Sequence, residues 1–192
     1  HSKNTTAIAC SFTVCPPRPP SFPPMPAHTR THTFTHAHAL KTRLRGLGAE
    51  FHYAKRGGEI TFHGPGQLVG YPMVDLRRIK QGPRWYIDRL EQAIIMGCAE
   101  FGLDAARCKH TGVWIGDKKV AAIGVQVSHG VTWHGFALNC DVDLGWYDHI
   151  VPCGITDPDR GVTSISAELG RHVGVAEVIP VMEDALRAAL EL

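Results

Sequence analysis

The chain has 192 residues, 44% of them apolar, and a formal charge of +2 at pH 7, enough for one domain with a substantial core. Six basic residues and none of the 18 acidic ones fall within residues 1–49, so the remainder is net negative, which argues against a nucleic-acid groove. No apolar run approaches the ~20 residues that cross a bilayer, and Cys10, Cys15, Cys98, Cys108, Cys140 and Cys153 show neither a CxxC pair nor the spacing of a disulfide framework or zinc site, as expected of reduced thiols inside a cell.

Residues 1–38 form the first unit, Pro-rich over 16–26 and then His/Thr-rich in Thr31-His32-Thr33-Phe34-Thr35-His36-Ala37-His38. Such a composition buries too little apolar surface to order itself, and its lack of acidic residues resembles a mitochondrial transit segment. Its histidines are read as part of a tail and not as metal ligands. A chain that begins at His1 is expected to be a fragment or a processed form.

Residues 39–192 form the second unit, the folded domain. A short helix is predicted through Leu40, Leu44 and Leu47, ending at Gly48, and a strand over 50–54. Two further strands, 59–63 and 67–76, are expected on either side of Gly64-Pro65-Gly66. Tyr86, Leu90, Ala93, Ile94, Gly97 and Phe101 recur at helical spacing, which predicts a helix over 83–101 with Pro83 near its start. The segments 113–115, 120–127 and 131–139 read as antiparallel strands with turns at Gly116-Asp117-Lys118 and Gly130. A helix follows over 163–169, and an amphipathic one over 175–192, with Pro180 expected in its first turn. This order of elements predicts an α+β fold.

Cys153, in Val151-Pro152-Cys153-Gly154, is the candidate nucleophile. A thiol attacks as its thiolate, and from a reference pKa of about 8.5 roughly 3% is ionised at pH 7. A nearby ammonium raises that fraction, and Lys119, directly before an apolar strand, is the candidate cation and proton acceptor. Spacing alone leaves open an inert buried Cys153 and a solvated Lys119; Cys140, in an apolar strand, fits the inert description. The segment Arg56-Gly57-Gly58-Glu59-Ile60-Thr61-Phe62-His63-Gly64-Pro65-Gly66-Gln67 lets backbone N–H groups crowd around a ligand, or else forms a tight hairpin in which His63 is structural. It is not a P-loop, since GxxxxGK[ST] does not occur.

Taken together, Arg56-Gly57-Gly58, Thr61-Phe62-His63-Gly64-Pro65-Gly66-Gln67-Leu68, Tyr71, Lys119-Val120-Ala121-Ala122-Ile123-Gly124-Val125, His134-Gly135-Phe136-Ala137-Leu138-Asn139 and Val151-Pro152-Cys153-Gly154 resemble the lipoyl(octanoyl) transferase family. The resemblance covers about residues 39–192. It implies the biotin/lipoate protein ligase type of α+β domain, a mixed sheet flanked by helices. It implies transfer of octanoate from acyl carrier protein to a lysine of lipoyl domains in 2-oxoacid dehydrogenase complexes and the glycine cleavage H protein. Cys153 then matches the acyl-carrying nucleophile, and Lys119 the lysine that lowers its pKa and later deprotonates the incoming amine. The substrate-contacting residues carry over as Arg56, Gly57, Gly58, Glu59, Ile60, Thr61, Phe62 and His63, with Ala122, Ile123, Gly124, Gly135, Phe136 and Ala137. Thioester exchange followed by amide formation needs no ATP and implies no cofactor and no metal. The alternatives are an ATP-dependent lipoate or biotin ligase, a non-catalytic module that binds lipoyl domains, and a cysteine hydrolase. Residues 1–38 do not match the family's usual N-terminal segment, so one sheet strand and part of the acyl pocket are expected to be missing or replaced. The downstream pattern implies a mitochondrial protein, with the bacterial cytoplasm as the alternative.

Overall fold

The computed structural model describes residues 8–11, 33–54, 56–57, 60–150 and 160–191. Strand β1 (Ile8–Ser11) and helix α1 (Thr33–Gly46) come first, followed by β2 (Gln67–Pro72) and α2 (Pro83–Glu100). A two-residue strand β3 (Ala105–Ala106), β4 (Val113–Ile115), β5 (Lys118–Ser128) and β6 (Val131–Asn139) then run in succession. A 3-10 turn (Leu144–His149), β7 (Gly161–Val162), α3 (Ile165–Leu169) and α4 (Val175–Leu190) complete the order.

The described strands make one open sheet in the order β1-β2-β6-β5-β4-β3, with β7 paired to β5. Every pairing is antiparallel except β5 with β7, which makes the sheet mixed. This is the α+β arrangement that the sequence implies. Strands β5 and β6 are long because Val, Ile, Thr and Phe recur through them and the Gly130 turn, at φ +79°, lets the chain reverse.

Helices α2 and α4 cover one face of the sheet. Pro83 starts α2, where its missing N–H costs nothing, and Tyr86, Leu90 and Ile94 are fully buried along one stripe. On α4 the stripe is Val178, Met182, Leu186 and Leu190. Pro180 is the sixth residue of α4 rather than part of its first turn; the lost hydrogen bond is the one to the Ala176 carbonyl. Between helices and sheet lie Leu68, Ala121, Ile123, Phe136 and Leu138.

Three sequence-based expectations change. Residues 50–54 and 60–63 are not strands. The physical reason is the absence of a vacant edge beside them: β6 and β1 occupy both edges of β2, so the segment before the Gly64-Pro65-Gly66 turn cannot pair with it. The boundary expected at 38/39 falls inside α1, and Ile8–Ser11, within the segment read as unable to order itself, supplies the outer strand on β2. Strand β2 stops at Pro72, well before residue 76, because the chain then turns and rejoins the sheet only through a single bridge from Asp75 to Val131.

The Pro72 carbonyl is a junction of β2, α2 and β6, accepting from the Tyr86 hydroxyl at 2.6 Å and the Thr132 hydroxyl at 3.1 Å. Thr132 Oγ1 also accepts from the Val74 N–H at 2.8 Å. Tyr86→Phe leaves that carbonyl with a partner and is expected to cost about 1 kcal/mol, whereas Thr132→Val orphans a buried N–H and should cost about 2–3 kcal/mol. Urea unfolding of the two variants checks the order.

Candidate active site

The β5–β6 register sets Ala122 opposite Ala137, Ile123 opposite Phe136 and Gly124 opposite Gly135, while β2 adds Val69 beside Ala137. Side chains alternate across a sheet, so Val69, Tyr71, Ala122 and Ala137 face away from the helices. On that side lies a shallow cleft, half open to solvent. Arg56, Thr61, His63, Ala122, Ile123, Gly124, Gly135, Phe136 and Ala137 all line it. Three sequence segments remote from one another therefore meet in one place. Val69, Tyr71 and His134 also line it and were not foreseen; the period-two alternation of a strand containing Gln67 would have pointed to Val69 and Tyr71.

Gly124 and Gly135 allow backbone to close on this floor. A Cβ on Gly124 would lie 2.8 Å from the Gly57 carbonyl oxygen, and one on Gly135 would lie 2.3 Å from that of Gly70. Gly57 sits beside the cleft, its N–H donating to the Val125 carbonyl at 3.0 Å and so holding the Arg56 turn on β5. Ile60 and Phe62 do not line the cleft. The Phe62 ring stacks on Trp146, with centroids 5.3 Å apart, and meets Tyr147 edge-on, clamping the loop to the 3-10 turn. Gly58 and Glu59 lie outside the described residues.

His63 is tied from behind. Its Nδ1 lies 2.8 Å from Gln67 Oε1, and Gln67 Nε2 donates to Asn139 Oδ1 at 2.8 Å, to the Tyr147 hydroxyl at 3.1 Å and to the Phe62 carbonyl at 3.3 Å. Asn139 Nδ2 in turn donates to the Thr163 carbonyl at 2.9 Å. Burial lowers the His63 pKa below the ordinary 6.5, opposed by the Gln67 hydrogen bond and assisted by the positive charge of Arg56 and by His134.

Lys119 lies outside the cleft lining, at the start of β5, only 4% exposed. Its Nζ stands 5.0 Å from the centre of the Trp114 ring, a cation–π contact, and its carbonyl accepts from the Thr163 N–H at 3.0 Å. Cys153 lies outside the described residues. The chain beyond it is described from Arg160, whose guanidinium stands 5.1 Å from the same Trp114 ring, so the C-terminal flank of the Cys153 segment is placed next to Lys119. Cys98 and Cys140 are buried and their thiols are pushed up to about 12 by desolvation, which makes both inert. Among the described residues no cluster of three His, Cys, Asp or Glu is placed to hold a metal, and no helix is long and apolar enough to cross a membrane.

Residues 33–187 match the family model of the lipoyl protein ligase A/B catalytic domain. The chain belongs to that family. Within it, the chain is 50% identical over 147 residues to the mitochondrial octanoyl-acyl-carrier-protein:protein N-octanoyltransferase LIPT2 of Danio rerio, an overlap of 77% of this chain and 65% of that protein. It is 54% identical over 143 residues to an octanoyltransferase of Salinispora tropica, covering 71% of this chain and 66% of the relative. The chain thus spans just under two thirds of the length of either. Solved structures of the lipoyl protein ligase type share the fold: a lipoate-protein ligase A bound with ATP has a TM-score of 0.64 at 16% identity, over 78% of this chain and 62% of that one. The bipartite lipoate protein ligase of Thermoplasma acidophilum has 0.62 at 17%, over 78% and 61%.

The depressed pKa of His63 makes a stability prediction. The unfolded chain protonates this histidine near 6.5 while the folded chain resists, so its contribution is fully present above 6.5 and is lost as pH falls through the folded value. His63→Gln should therefore lose less unfolding free energy than the parent chain between about pH 7 and about pH 5, as read from urea unfolding at each pH.

Proposed function

We propose that this chain is an acyltransferase that moves an octanoyl group from octanoyl-acyl carrier protein to a lysine of a lipoyl-bearing domain through a thioester on Cys153. The observation that carries this reading is the convergence of Arg56, Thr61 and His63 with the 122–124 and 135–137 segments on one cleft, in a chain about half identical over the matched residues to proteins named as octanoyltransferases. The strands give the cleft a small-sided apolar floor of Ala122, Gly124, Gly135 and Ala137, as an alkyl chain requires.

In the first step Lys119 accepts the Cys153 proton and the thiolate attacks the carrier's thioester carbonyl; the new C–S bond forms as the carrier's thiol leaves. In the second step the acceptor amine attacks the Cys153 thioester, the C–N bond forms, the C–S bond breaks, the nitrogen's proton passes through Lys119 to the departing thiolate, and the more stable amide is released. Each step passes through a tetrahedral oxyanion that backbone N–H groups beside the cleft stabilise. The Trp114 ring, 5.0 Å from Nζ, holds the Lys119 ammonium in place at the start of β5. The acceptors are the lipoyl domains of 2-oxoacid dehydrogenase complexes and the glycine cleavage H protein, and the compartment is the mitochondrion, in keeping with the relatives named as mitochondrial.

Incubation with octanoyl-acyl carrier protein in the absence of ATP should add about 126 Da to the intact protein, an octanoyl group in place of a thiol hydrogen. Cys153→Ala should abolish the adduct. Lys119→Ala should slow its formation by about 10²-fold and move the pH profile upward. A product that appears only with ATP would point instead to adenylate chemistry.

A further inference from the structure

The hydrogen bonds behind His63 have a fixed direction. At one end stands the Thr163 carbonyl and beside the middle the Phe62 carbonyl, and backbone carbonyls only accept. Asn139 must therefore turn its NH₂ to Thr163 at 2.9 Å and its Oδ1 to Gln67. Gln67 must turn its NH₂ to Asn139 Oδ1 and to Phe62, which leaves Oε1 to face His63 Nδ1 at 2.8 Å. The Tyr147 hydroxyl reinforces the same polarity, donating to Asn139 Oδ1 at 3.2 Å and accepting from Gln67 Nε2 at 3.1 Å. Gln67 and Asn139 are 3% and 2% exposed, so both amides are shut off from bulk solvent and take their partners from one another. An Oε1 acceptor demands a proton on Nδ1. The neutral ring then carries its lone pair on Nε2.

We infer that His63 is the proton acceptor of the amide-forming step, and that Gln67, Asn139 and Tyr147 are positioning residues that hold it as the Nδ1–H tautomer. The inference rests on the transfer reading above and assigns the proton that this reading leaves open. An acceptor lysine arrives as an ammonium, which cannot attack a carbonyl. One N–H bond of the ammonium breaks, and the proton passes to His63 Nε2. The freed amine forms the C–N bond as the C–S bond to Cys153 breaks. The second proton leaves the nitrogen through Lys119 to the departing thiolate, which regains its thiol. His63 then returns its proton to solvent, so atoms and charges balance. His63 lines the cleft, and the charged or titratable groups that line it with His63 among the described residues are Arg56 from the turn on β5, Tyr71 from β2 and His134 from β6. Desolvation keeps the ring neutral at physiological pH. Lys119, first expected to deprotonate the amine, is thereby needed only for the thiol and the second proton.

Long-range ¹H–¹⁵N spectra of the full chain test the tautomer directly, with His63→Gln identifying the signals. At neutral pH the His63 ring should show Nδ1 protonated and Nε2 bare; an Nε2–H ring or an imidazolium overturns the inference. The second measurement is single-turnover amide formation from octanoyl-enzyme and a lipoyl domain, followed against pH. Gln67→Glu places a carboxylate on Nδ1–H and should move the acid limb of this step upward by about one pH unit or more, with less effect on the profile of thioester formation. His63→Gln should slow amide formation by about 10²-fold, and more than it slows thioester formation. An unmoved acid limb in Gln67→Glu, or equal slowing of both steps in His63→Gln, overturns the proton-acceptor role. If the parent chain forms no octanoyl-enzyme at all, the transfer reading and the acceptor role fall together, while the spectra still decide the tautomer.

Discussion

The pairing of β5 with β6 is the constraint on which everything else depends. Its register runs unbroken from Ala121↔Leu138 to Ser128↔Val131, and it assigns every second residue to the helical core or to the cleft. The side chains of Ala121, Ile123, Phe136 and Leu138 belong to the core cluster, and Ala122, Gly124, Gly135 and Ala137 make the floor of the cleft, whose lining Ile123 and Phe136 also reach. A slip of one residue would exchange these sets, filling the cleft with large side chains and leaving the helices over alanine and glycine. The core and the site are thus two faces of a single decision, and the energy of burying the first enforces the shape of the second.

A buried polar chain then joins the loops to that floor. Gln67 begins β2, Asn139 ends β6, Tyr147 comes from the 3-10 turn and Thr163 follows β7, so four parts of the chain are fixed relative to one another by hydrogen bonds. Burying amides is costly unless each donor and acceptor is met, and here each partner is itself held by another. Thr163 is the hinge pin of the arrangement. Its carbonyl receives Asn139, and its N–H reaches the carbonyl of Lys119, so the cleft and the buried lysine share one point of attachment.

The sequence made the helices and the central strands legible because their physics is periodic. Leu90 and Ile94 recur every turn, and 113–139 alternates β-branched and small residues around two turns. The motif residues of β5 and β6 fall on facing positions of one hairpin and line one cleft. The sequence did not reveal the two-residue strands β3 and β7, which have no periodicity to read. Nor did it show that 60–63 stays unpaired: strand propensity describes a segment, while an available edge is a property of the whole sheet. The role of Gln67 was invisible for a related reason. A glutamine following a Gly-Pro-Gly turn reads as a polar turn residue, and only the arrival of Asn139, 72 positions away, shows it to be interior.

The two floor glycines set where this cleft can change in the course of evolution or engineering. Pockets are commonly resized by exchanging a small residue for a larger one, yet any side chain at Gly124 or Gly135 would collide with main-chain oxygen rather than occupy free space. The floor is consequently a fixed datum. Variation in the length or bulk of a bound group must be written on the side chains that line the cleft instead, at Val69 and Tyr71 of β2 and at Thr61.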